Sequence, residues 1–155
     1  MFKFALALSI ALAAPVAVAD STWLNVGGVS WHPFTSGKNG SNPGLGLEWQ
    51  MDNRRFITAG MYRNSQSTQS RYAAYGWRPY DKGTFSSGII TGVVDGYQWR
   101  DGGVIPMIAP YVMIEGKALA LNVVIVPRVS KNVATTVALQ IKYRMRGMGP
   151  SLCDC

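Results

Sequence analysis

From Trp23 onward the chain divides into eight segments in which large apolar residues alternate with polar or small ones. They run over residues 23–31, 44–51, 55–64, 71–79, 84–97, 104–115, 118–127 and 135–145. Most reach the ~9–11 residues that a tilted membrane-crossing strand needs. Short turns ("DNRR", "PYDKG", "EGK") alternate with mostly longer connections ("HPFTSGKNGSNP", "SQSTQS", "QWRDGG", "RVSKNVA"). Such a rhythm predicts an all-β fold: an eight-stranded antiparallel up-and-down transmembrane β-barrel, with an even strand count and no open edge.

The last segment shows which side faces what. Val137, Leu139, Ile141, Tyr143 and Met145 share one face, and Thr136, Ala138, Gln140, Lys142 and Arg144 the other. A membrane barrel turns the first face to lipid and the second to its lumen. A secreted lipocalin-like binding barrel would do the reverse, and the apolar character of both faces of the sixth and seventh segments suits it as well. Aromatic positions favour the membrane. Trp31, Tyr62, Tyr97 and Trp99 are expected at the outer rim, and Trp23, Trp49, Trp77, Tyr80 and Tyr143 at the inner one, as two girdles.

The start of the chain agrees with export. "MFKFALALSIALAAPVAVAD" has Lys3, an apolar run too short to span a membrane, and Ala17-Val18-Ala19 before Asp20, the pattern of a cleaved secretory leader. The expected organisation is a signal peptide over 1–19, a barrel over 20–146 and a flexible tail over 147–155. The expected location is the cell outer membrane. Cys153 and Cys155 lie in that tail, too few to close a structural metal site, and neither a metal nor a cofactor is expected. The net charge of +7 falls by one when Lys3 leaves, and its excess has no single groove to serve nucleic acid. The "GLG" after Pro43 lacks the βαβ surroundings of a nucleotide loop.

His32 is the single histidine and stands where the first strand leaves the membrane. Asn64-Ser65 opens the second external loop. Pro33 and Pro43 bracket the link between strands one and two. Pro106, Pro110 and Pro127 punctuate strands six and seven, where a residue without an N–H weakens the ladder. On these positions the chain resembles the lipid A palmitoyltransferase type of small outer-membrane barrel. The resemblance implies a histidine at the outer end of strand one, a second-loop Asp-Ser pair, and lateral routes for lipid at the proline-weakened seams. Here Asn64 replaces the aspartate, no amphipathic helix precedes strand one, and the last strand ends in "KYRM" rather than a terminal aromatic.

Acyl transfer needs an activated oxygen nucleophile and donors for an oxyanion. His32 is the candidate general base, Ser65 its partner, and Asn64 and Arg63 polarising donors. Arg63, Arg71, Arg100 and Arg128, near the outer rim with Lys38 and Lys131, are candidates for phosphate groups of lipopolysaccharide or phospholipid. Within the lumen, Glu48, Gln50, Gln140, Lys142 and Arg144 are expected to form a polar network, because a lone buried carboxylate is costly. Two functions stay open: a monomeric barrel that binds or acylates lipid A-type glycolipid, or a non-enzymatic structural or adhesion-type barrel with a packed lumen. A hydrocarbon-accepting lumen at the 106–127 flank would favour the first, and a lumen filled across by the polar network the second.

Overall fold

The computed structural model describes residues 21–128 and 133–145, and there the alternation becomes a closed cylinder. Its staves are β1 (Ser21–Trp31), β2 (Ser41–Asn42 and Gly44–Gln50, interrupted at Pro43), β3 (Arg55–Arg63) and β4 (Gln69–Lys82). They continue as β5 (Phe85–Val94), β6 (Ile105–Glu115), β7 (Leu119–Val126) and β8 (Thr136–Met145). Each pairs antiparallel with the next, and β8 returns to β1 through contacts from Thr22–Met145 to Trp31–Val137. Closure joins the first and last staves into one ring, as a bilayer requires. The expected leader, the tail with Cys153 and Cys155, and Lys131 lie outside the described residues.

Sidedness is the main physical result. Val29, Ile57, Ile89, Ile108, Leu139 and Ile141 stand exposed on the outside, whereas Glu48, Gln50, Asn122 and Lys142 are buried in the lumen. Exposed apolar surface of this extent is unfavourable in water and suits lipid. Trp77, Tyr80 and Tyr143 belong to the outer surface at the inner rim. The girdle expectation needs correction elsewhere. Trp23 is fully buried, and Tyr62 and Tyr97 are joined hydroxyl to hydroxyl at 3.0 Å on the lumen side of the other rim.

Two irregularities set the positions of the important side chains. In β1 the register with β8 slips between Asn25 and Gly28, and Gly27 adopts φ +72°. A bulge with a left-handed glycine inserts one residue and reverses the alternation beyond it. Trp23 and Asn25 therefore point inward before the slip, and Ser30 and His32 after it, while Val29 and Trp31 face out. In β4 a second slip between Trp77 and Tyr80 accommodates Pro79, so the strand continues to Lys82 instead of ending at the proline. β5 stops earlier than its sequence suggests. The Asp95 carboxylate takes the Arg71 N–H, and Gly96 at φ +82° turns the chain away.

Candidate functional site

The lower lumen is a polar plug. Lys142 Nζ lies 2.7 Å from Glu48 Oε1, and Gln50 Nε2 donates to the same oxygen at 2.8 Å. Arg78 Nη2 donates to Gln50 Oε1, and Arg78 also approaches Glu115 Oε2 at 3.7 Å. Arg144 completes the chain by donating to Glu115 Oε1. Three cations thus meet two carboxylates. The surplus charge lies against aromatic faces: Lys142 is 5.2 Å from the Trp23 ring centroid, Arg144 is 4.6 Å from it, and Arg78 is 5.7 Å from that of Phe56. The Phe56 ring lies over Gly76, its partner on the neighbouring strand; a Cβ there would lie 2.0 Å from the ring.

Of the five residues expected in this network, Glu48, Gln50, Lys142 and Arg144 belong to it. Gln140 sits apart, accepting from Asn122 Nδ2 at 3.3 Å. Arg78 and Glu115 were missed. Arg78 shares its parity with Ala74 and Gly76, and Glu115 with Tyr111 and Met113, so strict alternation along β4 and β6 would have pointed both inward.

Above the plug the lumen opens into a chamber of ≈ 350 Å³, within the size range of small-molecule sites. Ile90, Val94, Met107, Ala109, Val124 and Ala138 contribute apolar wall. Asn25 lines it from below, donating to Thr58 Oγ1 at 3.1 Å and Tyr72 Oη at 3.4 Å. The wall is weakly seamed in two places. Pairing of β1 with β2 jumps from Asn25–Gly46 to Gly28–Asn42 across the Gly27 bulge and Pro43. Pairing of β6 with β7 begins only at Tyr111–Val124, which leaves the Ile105–Pro110 stretch off that ladder. The chamber reaches both seams, with Gly27, Gly44 and Leu45 at one and Pro106, Ile108 and Pro127 at the other.

His32 and Ser65 both line this chamber, but among the described residues no hydrogen bond joins them. His32 Nδ1 is 2.9 Å from Thr136 Oγ1, and Nε2 is 3.3 Å from Ser30 Oγ. Asn64 has a different place. Completely buried outside the chamber, its Nδ2 reaches Thr68 Oγ1, Ser70 Oγ and Gly96 O at 2.8, 2.9 and 3.0 Å. Its Oδ1 accepts from the N–H of Gln66 and of Thr68. The amide therefore braces the second external hairpin, and its donors are committed before any substrate arrives.

None of the four candidate arginines lines the chamber. Arg63 is exposed and directed toward Ser67 O, Arg100 lies 5.9 Å from the Trp99 ring, and Arg128 is exposed at the end of β7. Arg71 is tied to Asp95, with Nη2 2.7 Å from Oδ2. Among the described residues, the Lys or Arg that does reach the mouth is Lys38. Sequence reasoning grouped it with the outer rim but gave it no role.

The Asp95 carboxyl titrates below its ordinary value, chiefly because the Arg71 backbone N–H donates to it and the guanidinium adds to that. A depressed carboxylate contributes order above its ordinary pKa of about 3.9 and loses it as pH falls through the folded value. Hydrogen exchange over residues 96–103, corrected for intrinsic rate, is expected to keep its protection down to that acid range and then lose it. Asp95→Asn is expected to be weakly protected at every pH.

No protein-family model matches the sequence, and no curated protein matches it. Its fold is similar to a solved structure described as "De novo design of transmembrane beta-barrels". The TM-score is 0.62 at 17% identity, covering 81% of this chain and 96% of that one. The identity is too low to carry activity, and the likeness concerns architecture: this chain is an all-β, closed, eight-stranded antiparallel barrel of the transmembrane type.

Proposed function

We propose that the protein is an outer-membrane barrel that takes a hydrocarbon chain of lipid A or phospholipid into its upper chamber and transfers an acyl group there. The chamber carries this reading. A barrel serving only as a packed structural element has no reason to leave ≈ 350 Å³ of largely apolar space above a plug that already fills the lower lumen. Both seams give a lipid tail a way in from the bilayer, since a ladder interrupted by proline or a bulge holds its strands less tightly.

His32 is the general base at the mouth. Ser65, which also lines the chamber, supplies a hydroxyl toward the acyl carbonyl, and Asn64 holds the loop that carries it. Lys38 and the exposed Arg63, Arg100 and Arg128 present cations to glycolipid phosphates, with Arg71 shared between that task and Asp95. The polar plug is the one observation favouring the non-enzymatic class, but it occupies a different height from the chamber. The test is mass spectrometry of lipid A after expression in a host without such enzymes. A new species heavier by one acyl chain is expected; an unchanged spectrum would leave the structural barrel as the better reading.

A further inference from the structure

The bulge at Gly27 turns toward the lumen two residues, Ser30 and His32, that a regular β1 continuing from Trp23 and Asn25 would have kept off it. We infer that Ser30 is the nucleophile of the chamber, activated by His32 and aligned by Thr136, so that an acyl ester is cleaved through a covalent acyl-Ser30. The inference rests on the acyl-transfer reading above and names the atom that would perform it.

The hydrogen bonds suit one tautomer of His32 to this role. Thr136 Oγ1 donates its proton to Ala134 O at 3.1 Å, so toward His32 it acts as the acceptor. With the hydroxyl proton on Ala134 O, Nδ1 at 2.9 Å carries the ring proton in the proposed state, which leaves the lone pair on Nε2. That lone pair faces Ser30 Oγ at 3.3 Å. A base in hydrogen-bond reach of a hydroxyl, itself oriented by a third group, is the general arrangement of an activated serine. Thr136 is the positioning residue. Ser30 and His32 both line the chamber, and Lys38 brings a cation to the same mouth, where charge develops on the carbonyl oxygen.

The chemistry balances within the site. Ser30 Oγ bonds to the acyl carbon of an ester while its proton passes to Nε2. The tetrahedral intermediate collapses by breaking the bond to the alcohol oxygen, which leaves with the proton from Nε2. An acceptor hydroxyl then attacks acyl-Ser30, again giving its proton to Nε2, and Ser30 recovers a proton as it departs. Water in place of the acceptor would give hydrolysis.

A long-chain alkyl fluorophosphonate, added to the folded full-length protein in detergent, tests this without any substitution. Ser30 Oγ would bond to phosphorus, fluoride would leave, and Nε2 would take up the proton. Intact mass is expected to show one adduct per chain, and peptide mapping to place it on Ser30. His32→Ala is expected to slow labelling about 10²–10⁴-fold, the usual weight of a general base. Thr136→Val is expected to slow it less, with Thr136→Ser restoring the rate, which a merely structural loss would not allow. An adduct on Ser65, or none on the folded chain, overturns the inference even if lipid A gains an acyl chain. An adduct on Ser30 with unaltered lipid A supports the nucleophile and instead counts against lipid A as acceptor.

Discussion

Glu48→Gln is expected to cost about 3–5 kcal/mol of stability, the usual penalty for stripping the partner from a buried charge. Lys142→Met is expected to cost clearly less. The asymmetry follows from the charge count in the plug. Arg78, Lys142 and Arg144 face Glu48 and Glu115, so removing Glu48 leaves three cations on one carboxylate, whereas removing Lys142 leaves two against two. The faces of Trp23 and Phe56 offset one surplus cation but not two. The double substitution should therefore be more stable than Glu48→Gln alone, with a sizeable coupling between the sites. Urea titration of the barrel in detergent, followed by tryptophan fluorescence, checks all three. Equal losses for the two single variants would mean that the plug does not work by charge balance.

The other large effect concerns activity rather than folding. His32→Ala is expected to lower acyl transfer in isolated membranes about 10²–10⁴-fold. The heat-modifiable mobility of the folded barrel should stay unchanged, because His32 lies beyond the last β1–β8 register pair at Trp31–Val137 and contributes nothing to the plug. Retained transfer would remove His32 from the chemistry, and lost mobility would show that its bonds to Thr136 and Ser30 hold the mouth together instead.

Much of the fold could be read from alternation, and the exceptions share a cause. In β8 the parity runs unbroken from Thr136 to Met145, and every lumen-facing residue there was legible. In β1 it was not, since one extra residue at Gly27 reverses the faces halfway up. Uninterrupted alternation from Trp23 would have put Trp31 inward and Ser30 outward. Ser30 itself went unnoticed beside His32 for another reason: the resemblance drew the search for a hydroxyl to Asn64-Ser65, although only one residue separates Ser30 from His32. Trp23 was misplaced for a different reason. Tryptophan near a rim ordinarily marks the headgroup layer, but a plug with excess positive charge recruits its ring into the lumen. The role of Asn64 was only partly legible: its bonds to Gln66, Thr68 and Ser70 are local, but the one to Gly96 spans 32 residues. The arginines of the outer loops were visible as charges; that Lys38 lines the chamber and none of them does depends on loop paths that composition does not encode.

Because Glu48, Gln50 and their partners shut the lower lumen, the chamber is blind below and opens only at its mouth and its two seams. On the acyl-transfer reading, ≈ 350 Å³ leaves little room for a donor and an acceptor chain side by side. The tail that enters would have to stay in place while one headgroup departs and another takes its turn at the entrance, an exchange in which storage on the wall between visitors is the natural order of events.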